Sequence, residues 1–321
     1  MKIFTDEKMR DILLWIEDRF GESDASDKLK FQIPNPDLSI GSYAGATIDV
    51  DGKLLRYHSW RDWIDTATLL QCRMLTPHIV DEHFVVISYQ KLNIEDSFHR
   101  ADIVDRKEKY GRDSIFAQID KNEEPVYLYA YRQALQNVKI WDRGSILNLG
   151  INSGDEFEQI KSMLPSDIYR KIELVGIDHC RSAIDSARAN FPEPNVHLHC
   201  CDINDLERLN LPRYDLIISI GTLQSPDIPF QSIFMSLVQN YLAPNGAIIL
   251  GFPNSRWVDG EMIYGAKAPN YNFSEMSLVV KDVYFCKKYL QQHKFRVTIT
   301  GREYLFVTAT KIGSGKISKP H

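Results

Sequence analysis

The chain has 321 residues and a formal net charge of −5, from 38 Lys and Arg against 43 Asp and Glu, so it lacks the basic surplus that accompanies binding to phosphate backbones; a small-molecule or protein partner is favoured and nucleic acid disfavoured. No apolar run approaches the roughly 20 residues needed to span a bilayer, the opening "MKIFTDEKMR" lacks the apolar core of a signal peptide, and five cysteines make an odd count without a paired framework, which together indicate a soluble, cytoplasmic protein with no membrane partner. The length suffices for one large α/β domain or two smaller modules, and two is the expectation.

The first element predicted is an amphipathic helix, because Met9, Ile12, Leu13, Ile16 and Phe20 recur at three and four residues and Gly21 stands where a helix C-terminal glycine belongs. "GESDASDK" and "IPNPDLSIG" are polar connectors. In "ATIDVDGKLLRYHSW", Asp51-Gly52 lies between two apolar-alternating arms, which predicts a hairpin. Residues 61–75 read as helix and 83–92 as strand, with Trp60 and Trp63 at helical spacing in the core rather than at a ligand. The first hundred residues form a small α+β module without a chemical motif. The charged stretch "HRADIVDRKEKYGRD" reads as a helix or linker, and 124–138 as a further helix.

From there strand-like runs alternate with helices. "SILNL", "IELVGI", "NVHLHC", "YDLIIS" and "GAIILG" are separated by helices starting near Asp155, Arg181, Leu206 and Phe230. Apolar runs buried on both faces and separated by helices require a parallel sheet with helices on both sides. A helix over about 277–292 leads to "KFRVTIT" and "EYLFVTATK", joined only through Gly301-Arg302, which predicts an antiparallel pair at a sheet edge. The tail "GSGKISKPH" is expected to be mobile. His197, His199 and Cys201 in "HLHCCD" share one strand face, but a rise of about 3.3 Å per residue spreads the outer two over roughly 13 Å, too far for one zinc; no metal is expected.

"ILNLGINSGDE" (146–156) is a strand, a small-residue turn and a helix start. Such sheets bind ligands beyond the carboxyl ends of their strands, where the strand order reverses. Gly150 and Gly154 allow close backbone approach, and amides at the helix start favour a carboxylate or phosphate. The same residues also suit a capped helix in any protein, with Ser153 and Glu156 at capping-box spacing. Asp178 ends the second strand, where a carboxylate can accept from both hydroxyls of a ribose, and Asp202 ends the third. Singly, each acid fits a helix cap; in series, three strand tips with glycines, an acid and a second acid point to a cofactor.

Over about residues 124–312 the sequence resembles the class I S-adenosylmethionine-dependent methyltransferases. The resemblance rests on the order of "ILNLGINSG", "LVGIDHC", "HCCDINDL", "YDLIISIGTLQ", "LAPNGAIILGFP" and the closing pair "KFRVTIT" and "EYLFVTATK". It implies an α/β fold with a seven-stranded, mostly parallel sheet, helices on both faces and an antiparallel last strand, preceded by an α+β module and linker helix over 1–123 and followed by a tail over 313–321. It implies S-adenosylmethionine as the cofactor, with Gly150, Asn152 and Gly154 lining its methionine end and Asp178 on the ribose beside His179 at the rim. Asp202 and Ile203 would flank the adenine, and Ser219 to Gly221 would close the pocket floor.

Two residues depart from that pattern. Asn148 stands where the family has Asp or Glu near the cofactor's amino group, and Asn152 where it has glycine. Asn148 accepts a hydrogen bond without the strength of a carboxylate, so an aspartate at 148 is expected to bind more tightly. Asn152 is tolerable because asparagine visits left-handed backbone more readily than most residues.

In-line methyl transfer demands alignment more than covalent help, so no general base is named; His58 and His293 fall in surface or packing segments. The long connection "FPNSRWVDGEMIYGAKAPNYNFSE" offers Arg256, Trp257 and Tyr264 to a small-molecule acceptor, or packs as a lid on its own aromatics. A cofactor-binding regulatory module without turnover and a nicotinamide-dependent dehydrogenase are the rival readings; against the second, the loop lacks the spacing G-x-G-x-x-G.

Overall fold

The computed structural model describes residues 1–21, 27–92, 120–258, 261–264, 277–302 and 304–313, and the side chains of 256–258, 261–264 and 277–278 lie outside that description. The described residues fall into two compact units, one drawn from 1–102 with 257–263 and the other from 103–256 with 264–321.

In the first unit, strands Lys28–Pro34, Phe84–Lys91 and Cys72–Met74 run antiparallel, Lys2–Ile3 adds in parallel at one edge and His78–Ile79 pairs with Phe84–Lys91. The helices Met9–Gly21 and Trp60–Leu69 contribute Ile12, Ile16 and Trp63 to a core with Phe4, Phe31 and Tyr89. Tyr89, buried on every side, donates its hydroxyl to the Trp63 carbonyl at 2.6 Å, so the polar end of a core ring is satisfied. Asp51 and Gly52 both have positive φ (53° and 77°) and join the paired strands Thr47–Val50 and Lys53–Arg56. That is the two-residue turn whose twist matches a hairpin. The helix expected over 61–75 starts at a Ser59/Asp62 capping box and stops at Leu69. Gln71 is left-handed (φ 54°) and Cys72–Met74 pairs with Phe84–Lys91; the ladder outcompetes the helix there. Trp63 is in the core, and Trp60 is half-buried, its indole donating to Asp37. The charged stretch at 99–113 lies outside the described residues, as does the tail from 314 onward.

The second unit begins with helix α1 (Pro125–Asn137), whose proline at the first turn costs no hydrogen bond. There follow β1 (Ser145–Leu149), α2 (Asp155–Met163), α3 (Ser166–Tyr169), β2 (Glu173–Asp178), α4 (Arg181–Asn190), β3 (Val196–Cys200) and β4 (Tyr214–Ile220). Helix α5 (Phe230–Ser236) runs into a π turn at Leu237–Tyr241, and β5 (Leu242–Pro253), α6 (Ser277–Gln292), β6 (Phe295–Gly301) and β7 (Tyr304–Lys311) complete the unit. The seven strands lie in the order β3-β2-β1-β4-β5-β7-β6. β1 to β5 are parallel, and β7 runs antiparallel to both neighbours.

Alternating residues of β1 show why the strands read as continuous apolar runs. Ile146 belongs to the core cluster that holds Tyr131 of α1, Phe157 of α2 and Ile184 of α4, while Leu147 belongs to the one that holds Phe234 of α5 and Val283 of α6. β7 is inserted between β5 and β6, so of the closing pair only β6 forms the edge. The helix expected near Leu206 is instead a 3-10 segment, Ile203–Leu209, broken at Asp205 and ended by left-handed Asn210. Asp202, Asn204 and Asp205 offer side-chain partners that compete with α-helical bonding. No described helix is long and apolar enough to cross a membrane.

Phe306 is fully buried between Tyr127, Tyr131 and Tyr304, with centroids 5.7 to 5.9 Å away. Phe306→Ala should lower the unfolding free energy by about 3–5 kcal/mol in urea titration, because a cavity this enclosed cannot collapse.

Candidate functional site

The strand order reverses between β1 and β4: β2 and β3 extend to one side, β5 and β7 to the other. The crevice at the carboxyl ends of such strands is where an open α/β sheet takes a ligand. The loop after β1 lies there. The amides of Gly150 and Ile151 both donate to the Ile177 carbonyl, at 2.7 and 3.1 Å. Ile151 is fully buried and sits against Gly176, where a Cβ would come within 3.0 Å of it. Gly150 has φ +76° and carries Thr222 against its α-carbon; the Thr222 hydroxyl donates to the Leu149 carbonyl at 3.2 Å, tying the end of β4 to the end of β1. Gly154 has φ +107° with the Phe191 ring closed over it. Asn152 is left-handed at φ 46°.

Asp178 is buried at the end of β2. Its Oδ2 accepts from the Asn152 amide at 3.0 Å and its Oδ1 from the Cys180 amide at 2.9 Å, with the half-exposed His179 ring 3.5 Å from Oδ1. Each oxygen keeps a second lone pair for another donor. Cys200 pairs with Asp178, and Asp202 follows at the same end of the sheet. Asp202 is exposed and accepts from the Asn204 amide at 2.8 Å, while Ile203 is buried beneath it.

The capping box read at Ser153 and Glu156 does not form. Helix α2 follows left-handed Gly154 without a side-chain cap, and the Ser153 hydroxyl donates to Asp155 at 3.0 Å. Glu156 instead turns inward and is 1 % exposed, with Oε1 3.3 Å from the Lys121 ammonium and Oε2 accepting from Asn148 Nδ2 at 3.4 Å. Burial pushes the Glu156 carboxyl up, against the opposing pull of Lys121. Burial also works against the Lys121 ammonium, but the carboxylate beside it overrides this and raises its pKa above that of an ordinary lysine. Lys121 is delivered by a short turn, Lys121–Glu123, that Asp120 caps and that Asn122 fastens to α2 by donating to the Asp155 carbonyl at 3.1 Å and to Glu158 at 2.9 Å.

Asn148 Oδ1 and Ser219 Oγ are buried and lack a hydrogen-bond partner among the described residues. They lie at the carboxyl ends of β1 and β4, where Asn148 is in register with Ile218, and Ser219 with Leu149. Polar atoms left so in a core cost about 1–3 kcal/mol each, and a ligand with its own donors and acceptors at this crevice would satisfy them. Gly221 (φ +71°) lies against the Tyr304 hydroxyl, which would be 2.6 Å from a Cβ there. The structure thus brings Asn148, Gly150, Asn152, Gly154, Asp178, His179, Asp202, Ile203, Ser219 and Gly221 to one end of the sheet. Ser255–Val258 and Glu261–Tyr264 pair as a two-stranded sheet, so the connection after β5 is partly regular; the side chains of Arg256, Trp257 and Tyr264 lie outside the described residues. His58 is buried edge-on to Trp63, and His293 holds the Tyr289 carbonyl at 2.8 Å, both packing roles.

Sequence reasoning missed Lys121, Thr222 and Tyr304, and offered Glu156 only as half of an alternative capping box. A lone lysine ahead of a proline-started helix carries no local signal, and the inward turn of Glu156 follows only from its distant partner.

Residues 144–296 match the family described as a methyltransferase domain. Similar solved structures include a precorrin-6y C5,15-methyltransferase from Geobacter metallireducens, 15% identical over 56% of this chain and 87% of that one, with a TM-score of 0.39. A SAM-dependent methyltransferase from Aquifex aeolicus is 16% identical over 61% of this chain and 98% of its own, with a TM-score of 0.41. The plantazolicin methyltransferase BpumL, in complex with a triazolic desmethylPZN analog and SAH, is 14% identical over 64% and 94%, also at 0.41. No curated protein matches the sequence. The segment 144–296, just under half of the chain, matches a methyltransferase domain, and the sheet has the seven, mostly parallel strands and the antiparallel strand that the sequence resemblance implied.

Gly150→Ala should destabilise the domain by at least about 1 kcal/mol, because alanine is strained at φ +76° and its Cβ meets Thr222. Adding Thr222→Ala should recover part of that loss in thermal unfolding, as the colliding atoms leave.

Proposed function

We propose that the chain transfers the methyl group of S-adenosylmethionine to a small-molecule acceptor by in-line displacement, in the cytoplasm. The observation that carries the cofactor assignment is the pair of buried, unpartnered polar atoms, Asn148 Oδ1 at the end of β1 and Ser219 Oγ at the end of β4, the two strands between which the strand order reverses. Bound there, the cofactor supplies an electrophilic methyl on a sulfonium sulfur. Asn148 accepts from its ammonium, and the turn of Gly150, Asn152 and Gly154 lies along its methionine end. Asp178, with two amides already on it, accepts the ribose hydroxyls through its remaining lone pairs, and His179 stands at the rim. Asp202 and Ile203 flank the adenine, the one as an exposed acceptor and the other as an apolar wall. Ser219 to Gly221 form the floor.

Arg256, Trp257 and Tyr264 contact the acceptor, since their segment leaves the carboxyl end of β5, the edge at which ligands of such sheets lie. The acidic balance of the chain supports a small acceptor over a nucleic acid, and its five unpaired cysteines support a reducing compartment.

At a hundred times its dissociation constant, S-adenosylmethionine should raise the unfolding free energy by about 2.7 kcal/mol while NAD leaves it unchanged; no shift with millimolar S-adenosylmethionine would end this reading. Asp178→Ala should weaken cofactor binding by about 1.5–3 kcal/mol in calorimetry. Because it also strips two loop amides of their acceptor, that variant should lose stability as well; unchanged affinity would reduce Asp178 to a turn-capping residue.

A further inference from the structure

We propose that Glu156, held by Lys121, is a positioning residue that sets the orientation of the Asn148 amide, nitrogen toward itself and oxygen toward the cofactor's ammonium. The inference rests on the cofactor reading above. A terminal amide fits its site in two orientations of nearly the same shape, and its neighbours decide between them. Asn148 is fully buried, and its Nδ2 donates to Glu156 Oε2 at 3.4 Å. Turned over, it would set a carbonyl oxygen against a carboxylate, acceptor against acceptor. The preference therefore depends on the carboxylate being ionised, since a protonated Glu156 could donate to the amide oxygen of the turned-over form. Burial alone favours that protonated state, and the Lys121 ammonium at 3.3 Å counters it.

With the amide nitrogen committed, Asn148 Oδ1 is a buried acceptor with no partner among the described residues, and an ammonium is the donor that suits it best. The carboxylate that the family carries at position 148 is thus present in this chain one residue deeper, acting through a neutral amide. An aspartate at 148 would lie beside Glu156 with only one lysine between two buried carboxylates, so the tighter binding expected from the sequence is reversed. The rival account is a salt bridge that merely pins the 121–123 turn to α2.

The test is calorimetry on the full chain with two probes: S-adenosylhomocysteine, which carries the ammonium, and methylthioadenosine, which lacks the amino-acid end. In Lys121→Met/Glu156→Gln the pair is neutral and close in shape, and the introduced glutamine amide can donate to Asn148 Oδ1. Affinity for S-adenosylhomocysteine should fall about tenfold, or about 1.4 kcal/mol, while affinity for methylthioadenosine stays the same. Asn148→Asp should likewise lose affinity for the first probe, and Asn148→Asp/Glu156→Gln, with one carboxylate again, should regain it to within about threefold. If the neutral pair does not fold, the comparison of these last two variants decides alone. Equal loss of both probes, no loss of either, or tighter binding by Asn148→Asp overturns the positioning role. Failure of the unaltered protein to bind either probe overturns the cofactor reading itself, and the inference with it.

Discussion

A carboxylate removed from water must be neutralised or matched, and Glu156 beneath the loop after β1 imposes that condition on everything around it. Its match is Lys121, which reaches it only because the turn ahead of α1 is fastened to the first turn of α2 through Asn122. The same carboxylate engages Asn148 inside β1. The aromatic wall of Tyr127, Tyr131, Tyr304 and Phe306 closes over this charge, and the phenols of Tyr127 and Tyr131 are pushed well above the usual range by burial and by Glu156. One ion pair therefore couples the entry of the domain, the loop after β1 and the antiparallel end of the sheet.

The fold was legible wherever period and punctuation agreed. The five parallel strands read as short apolar runs because both faces are covered, and Asp51-Gly52 marked its hairpin because both residues take positive φ. Legibility failed where a distant partner overruled a local pattern. Residues 72–74 continue a helical pattern but are claimed by the ladder with Phe84–Lys91. Residues 203–209 lie among acids and amides that satisfy the backbone in other ways, and a 3-10 segment results. Glu156 shows the same limit in the site. Its spacing from Ser153 is that of a cap, and only the position of Lys121, 35 residues earlier in the chain, turns it inward.

The two asparagines that break the family pattern have different explanations. Asn152 keeps the backbone conformation for which glycine would serve, at φ 46°, and its amide is secured by Asp178. Asn148 changes the chemistry of its position, and the charge it lacks stands next to it on α2. The loop amides of residues 150–152 and 154 are all bonded within the protein. Recognition at this end therefore falls to side chains and close backbone contact more than to a nest of backbone donors.

The peg of Ile151 over Gly176 has a kinetic meaning. With that side chain fully buried and two adjoining amides shared on one carbonyl, the loop has its shape before any ligand arrives. Ordering a segment at the moment of binding subtracts from affinity and slows capture, and a preformed loop avoids both. For a ligand taken up at this end of the sheet, encounter is then governed by diffusion and access, and residence time by how quickly its own contacts are surrendered.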